Sequence, residues 1–163
     1  MLRDNCPAPR EVARRGAPTT DERGELGAQA LLRGSPFAVE AGLRLVFTEE
    51  EHAVVTLPVH RGAGAEAGKA HPGAITALVE AAAAAAGGDL LSRDDASQRG
   101  ISVNFVRPVS ERPLVAEARM LESDGPLRTC EVEVSDWNGT LVAKGFVTYA
   151  SAASGTGPAR LGA

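Results

Sequence analysis

His71, Gly73 and Glu80 lie in "AHPGAITALVEAAAAAAGGDL", residues 70–90, a stretch with one histidine, one glutamate, six consecutive alanines and no lysine or arginine. An imidazole and a carboxylate nine residues apart are groups that can move protons or attack a carbonyl carbon. The neighbours of Glu80 one turn away are Thr76, Ala77, Ala83 and Ala84, so no cation on its own helix can neutralise it. A helix apolar on every side is normally buried on every side. The pattern therefore predicts a carboxylate held out of water, as a general base or nucleophile would be. A wet helix edge, or pairing with an arginine from a strand, is the structural alternative. His71 stands just before the helix, near the positive end of its dipole, where an anion or a carbonyl oxygen is drawn. The alternative for His71 is a capping or surface residue.

These groups need elements to hold them. Pro72 suits a first helical position and Gly87-Gly88 a stop, which predicts a helix between them. Upstream, residues 25–42 predict a short helix to about Arg33 and a turn around Gly34 to Pro36. "LRLVFTEEEHAVVTLPV" predicts two strands joined by an acidic turn at Glu49 to Glu51. A Gly/Ala loop from His60 to Ala70 leads to the helix. Beyond it, "GISVNFVRPV", "PLVAEARMLES", "LRTCEVEVSDW" and "TLVAKGFVTYA" read as four strands of a meander. Gly125-Pro126 and Asn138-Gly139 supply turns, the latter with a type I′ signal. Cys130, Val132 and Val134 alternate with Glu131 and Glu133, the mark of a sheet wet on one face. The prediction is an α+β domain: an antiparallel sheet around one helix, slim enough through its alanines for a curved sheet to approach closely.

The apolar pattern spans residues 27–150, one domain, flanked by a flexible N-terminal leader at 1–26 and a flexible C-terminal tail at 151–163. A formal net charge of −4 and a pI near 5.4 argue against nucleic acid as a bulk partner. No stretch is apolar enough to span a bilayer, and the N-terminus has no hydrophobic signal core. No membrane partner is expected, and the location is expected to be cytoplasmic. Cys6 and Cys130 read as free thiols. His52, His60 and His71 lack metal-ligand spacing, so no metal is expected.

His71, Gly73 and Glu80 resemble the H-G-G-x(6)-[DE] signature of hotdog-fold acyl thioesterases of the PaaI-like and 4-hydroxybenzoyl-CoA thioesterase type. "ISVNFVRPV" and "VSDWNGTLVAKGFVTYA" are similar to that family's strands, so the likeness covers residues 35–150. It implies the hotdog fold, a long central helix wrapped by a curved antiparallel sheet of five to six strands. It implies a thioester of coenzyme A or acyl carrier protein as substrate and no cofactor. Glu80 would be the base or nucleophile, and His71 would position the thioester. Nine residues at 1.5 Å rise separate the two by roughly 13 Å along one helix. A shared site therefore needs His71 of one subunit and Glu80 of another, a homodimer or homotetramer.

The chain departs from the family pattern at three points. Ala65 stands where Asn or Gln is usual. Pro72 replaces the glycine whose N–H serves as oxyanion donor, and proline has no N–H; the N–H of Gly73 is the expected substitute. Ala84 stands where a Ser or Thr often holds water. Losing one oxyanion donor typically costs about 10²- to 10³-fold in rate. Glu66, beside Gly68 in the substrate-facing loop, is the nearest polar replacement, but carboxylate beside carboxylate would repel, and a solvated loop charge is the preferred reading. Arg93 and Arg99 are placed by resemblance near the nucleotide part of CoA; His60 and Arg61 could meet its phosphates, with solvated surface the preferred reading. Three functions compete: thioester hydrolysis; a hotdog protein that binds an acyl or polyketide-like ligand, or a partner, without efficient turnover; and, ranked last, a β-hydroxyacyl dehydratase.

Overall fold

The computed structural model describes residues 30, 32–49, 51–58, 69–93, 97–108, 113–122 and 126–150. The proposed leader and tail, the loop with Ala65, Glu66, Gly68, His60 and Arg61, and Cys6 lie outside the described residues.

The first surprise is at the start. The predicted turn at Gly34 to Pro36 is a brief interruption: residues 32–34 are helical, and a second short helix, α1 (Pro36–Ala41), follows. Ser35 caps it through its Oγ, which accepts from the Ala38 N–H at 3.3 Å, with Pro36 in the first turn and Gly42 left-handed at the far end (φ 73°). Cap, proline and terminal glycine together outweigh the turn signal of Gly34-Ser35-Pro36.

Strands β1 (Arg44–Glu49) and β2 (His52–Leu57) form the expected hairpin. The long helix α2 (Pro72–Arg93) crosses next. It starts at Pro72 as predicted; at Gly88 the backbone leaves helical geometry (φ 29°, ψ −116°) before a further helical segment to Arg93. The sheet then continues through β3 (Ser97–Phe105), β4 (Leu114–Glu122), β5 (Leu127–Asp136) and β6 (Leu141–Ala150).

The six strands make one antiparallel sheet in the order β1-β2-β4-β5-β6-β3. The four late strands are thus not a simple meander: β3 pairs with β6 and leaves β4 to pair with β2. Register shifts at Leu45/Phe47, Gln98/Gly100, Met120/Glu122 and Val134/Ser135 add local twist, and α2 touches every strand of the sheet.

The core between them holds Ile75, Leu78, Val79, Ala82 and Ala83 of α2 against Val55, Leu57, Leu114, Val132, Val134 and Val147, each large side chain contributing roughly 1.5–3 kcal/mol by leaving water. Cys130, Val132 and Val134 point inward as their alternation predicted. On the wet face Lys144 pairs with Glu131 (2.7 Å) and Glu133 (3.1 Å). The β5–β6 connection is not the predicted type I′ turn, which needs φ > 0 at both central residues. Gly139 alone is left-handed there (φ 83°). The Asp136 carboxylate accepts from the N–H groups of Asn138 (2.8 Å) and Thr140 (2.9 Å), and this short-range bonding selects the longer loop.

Candidate active site

The helix is not buried all round. Gly73 and Glu80 are exposed, and Thr76, Ala77, Ala81, Ala84 and Gly88 are half-buried. Positions 73, 77, 80, 84 and 88 recur every three or four residues, so they form one stripe along α2. A sheet on one side of a helix covers only that side, and this stripe is what remains. The expected burial of Glu80 is therefore absent within one protomer: its carboxylate lies on the open stripe, and among the described residues no side chain pairs with it.

His71 shapes the helix start. Its Nδ1 accepts from the Gly73 N–H at 3.0 Å, and its carbonyl accepts from the Ala74 N–H at 2.9 Å. This is an N-terminal cap made by an imidazole. Pro72 has no N–H, and those of Gly73 and Ala74 are both engaged. The free Gly73 N–H expected as a substitute oxyanion donor is not present. A neutral ring that accepts at Nδ1 carries its proton on Nε2, so His71 is left with an N–H donor of its own. Gly73 permits this contact: a Cβ there would stand 3.0 Å from His71 Nδ1.

Behind Glu80, Val79 packs into the sheet over Gly145, where a Cβ would meet Val79 Cγ1 at 2.7 Å and the Ser102 carbonyl at 3.2 Å. The helix is thus seated closely on β6 and β3 beside the carboxylate. Tyr149, at the end of β6, was not singled out from sequence. Its hydroxyl is buried without a hydrogen-bond partner among the described residues. Burial drives its pKa up, with smaller upward contributions from Cys130 and from the Glu80 charge.

His71 and Glu80 share one helix and are not brought together within the protomer. Ala84 follows Glu80 on the stripe, with no hydroxyl to hold water. Arg99 is exposed at the β3 bulge, and Arg93 closes α2. Strand β3 forms a free edge. Ile101 and Phe105 pair with the inward Val147 and Ala143 of β6, yet on this edge strand they are 37% and 49% exposed. Among the described residues no three His, Cys, Asp or Glu side chains are grouped to hold a metal, and no helix is long and apolar enough to cross a membrane.

The sequence profile of the Thioesterase superfamily matches residues 67–143, which include α2 and both His71 and Glu80. A Deinococcus radiodurans protein, named provisionally as an esterase, is 36% identical over 102 residues, covering 60% of this chain; the chain spans 62% of that relative's length. A variant of the phenylacetic acid degradation protein PaaI from Thermus thermophilus superposes with a TM-score of 0.64 at 27% identity, covering 72% of this chain and 99% of its own. AziG of S. sahachiroi gives 0.66 at 26% identity over 72% and 96%. PaaI of E. coli, at 19% identity, gives 0.68 over 79% and 93% and attests the shared fold.

Proposed function

We propose that this chain, a hotdog-fold protein of the thioesterase superfamily and the PaaI type, hydrolyses an acyl thioester at a site formed between two copies. The observation that carries this reading is the position of Glu80: one carboxylate on the uncovered stripe of a helix otherwise packed into the core. Small residues flank it on that stripe, which leaves room for a substrate and a second protomer. A partner that covers the stripe and the free β3 edge would take the carboxylate out of water and strengthen its electrostatics.

In this reading the Glu80 carboxylate of one protomer attacks the thioester carbonyl, or takes a proton from a water that does. The carbonyl oxygen becomes an oxyanion, held by the Nε2–H of the partner copy's imidazole at position 71 in place of the absent backbone donor. If the carboxylate attacks, the C–S bond breaks to leave an acyl anhydride on Glu80, which water then hydrolyses, one of its protons going to the thiolate. If water attacks, breaking the C–S bond gives the carboxylic acid directly, and the proton held by Glu80 passes to the thiolate. Acyl-CoA and acyl carrier protein are the substrates implied by resemblance, and an oxygen ester would follow the same course.

A second reading, ligand binding with little turnover, is favoured by the engaged Gly73 N–H and by Pro72, Ala84 and Ala65.

Mixed oligomers separate the two. Glu80→Gln and His71→Ala should each abolish or strongly reduce thiol release from acyl-CoA. Mixing the two after reversible dissociation should restore about a quarter of wild-type activity, since half the dimers pair unlike chains and one site in each is intact. Wild type no faster than Glu80→Gln across an acyl panel would establish the binding reading. Turnover without recovery on mixing would place both residues' work within one chain.

A further inference from the structure

Tyr149 carries a hydroxyl that the fold buries without giving it a protein partner. The residue is 5% exposed, and its Oη makes no hydrogen bond among the described residues, whereas buried polar groups are almost always paired. Its place along α2 follows from the packing. Pro72 and Arg107 line one cleft, and Arg107 donates to the Leu141 carbonyl at 3.0 Å, so β6 begins beside the start of α2. Val79 then sits over Gly145, and the two elements run in the same sense. Tyr149 lies on the inward face with Gly145 and Val147, four residues beyond Gly145 and so roughly 13 Å along the strand. That length equals roughly nine helix residues, which brings the base of the side chain to the level of Gly88, past Ala84. Its ring shares the core cluster with Ala83 and Ala86, and the Glu80 charge acts on its hydroxyl. The side chain therefore reaches back along the helix towards Glu80, across the level of Ala83 and Ala84.

One turn after Glu80, Ala84 has no hydroxyl with which to hold water, and Tyr149 offers one from the sheet. We propose that the Tyr149 hydroxyl holds the water that Glu80 activates, taking over the task for which Ala84 lacks the group. This inference rests on the hydrolysis reading above and commits it to attack by water. Tyr149 donates its O–H to the water oxygen, and the water donates to the Glu80 carboxylate. As the water oxygen bonds to the acyl carbon, Glu80 takes the proton; the C–S bond then breaks, and that proton passes to the leaving thiolate. The phenol keeps its own proton throughout, since burial opposes its ionisation. The buried hydroxyl thus finds its partner in the reacting water.

The test is thiol release from a panel of acyl-CoAs, with melting temperatures alongside, for the intact wild type, Tyr149→Phe, Ala84→Ser and the double variant. Tyr149→Phe keeps the ring and should lower kcat about tenfold or more, the scale of a misplaced reacting group. KM should not move, because the water is held for the transition state and not for substrate binding. Ala84→Ser alone should change little. In the double variant the serine hydroxyl, one helical turn from Glu80, should recover most of the lost kcat. Melting temperatures should stay together across the four proteins, since phenylalanine preserves the packing and position 84 is only half-buried. An unchanged kcat in Tyr149→Phe, a rise in KM alone, no recovery through Ala84→Ser, or a melting temperature that falls with kcat would each overturn the proposal. Glu80→Gln tells the two failures apart. Wild type no faster than Glu80→Gln removes hydrolysis and the held water together, whereas wild type faster than Glu80→Gln but equal to Tyr149→Phe removes only the role of Tyr149.

Discussion

Gly73→Ala sets helix propensity against the geometry of the His71 cap. Alanine favours a helix over glycine by roughly 1 kcal/mol, but its Cβ would press on His71 Nδ1 at 3.0 Å. The variant should melt at or near the wild-type temperature yet lose about tenfold or more in kcat, the scale of a misplaced group; calorimetry beside a thiol-release assay measures both. Unchanged turnover would remove His71 from the reaction. A second expectation concerns alkaline pH. Burial chiefly, with a smaller push from Glu131, raises the Cys130 thiol from its ordinary 9.0 to about 12. Folding thus favours the neutral thiol, and that stability is complete below pH 9 and lost as pH rises towards 12, when the unfolded chain's thiol ionises first. Urea midpoints across pH 8 to 11 should fall, and Cys130→Ala should flatten the slope. Tyr149, raised by its own burial, would leave a residual decline.

At the scale of elements, the helix owes its seat to small residues on both partners. Gly145→Ala would drive a methyl into Val79 Cγ1 at 2.7 Å, with the Ser102 carbonyl at 3.2 Å behind it. Overpacking of this kind costs about 1–3 kcal/mol, and Val79→Ala alone should cost a similar amount through a cavity. Combined, the two should lose clearly less than their sum, which denaturant unfolding of the four proteins would show; additivity would mean that the contact is not tight. Helix start and every strand were legible because Pro72 and the β-branched runs act locally, whereas the stop expected at Gly87-Gly88 is a kink at Gly88 after which the helix resumes to Arg93. The second helix at Pro36 and the loop after Asp136 were not, since caps made by Ser35 and by the Asp136 carboxylate override the commoner meaning of Ser-Pro and Asn-Gly.

Across the whole molecule, β3 ends the sheet with Ile101 and Phe105 exposed, and α2 leaves one stripe open. Ile101→Lys places a charge on that edge while leaving the paired side of β3 untouched. We expect it to shift the protein to monomers in sedimentation velocity and to suppress hydrolysis together, because edge charges oppose strand pairing. A dimer that persists with full activity would locate the interface elsewhere.

The amino-acid sequence by itself determined the α+β class, the single amphipathic sheet, and a helix that starts beside His71 and carries Glu80 nine residues on, since each depends on residues close along the chain. The strand order did not follow from it, because nothing local tells β3 to cross to β6. Nor did the exposure of Glu80: composition says that a helix is apolar, but which side a finite sheet leaves uncovered is settled by how the layers pack. The use of the His71 ring as a cap, a hydrogen bond over only two residues, is likewise one of two local uses that the residue types leave open.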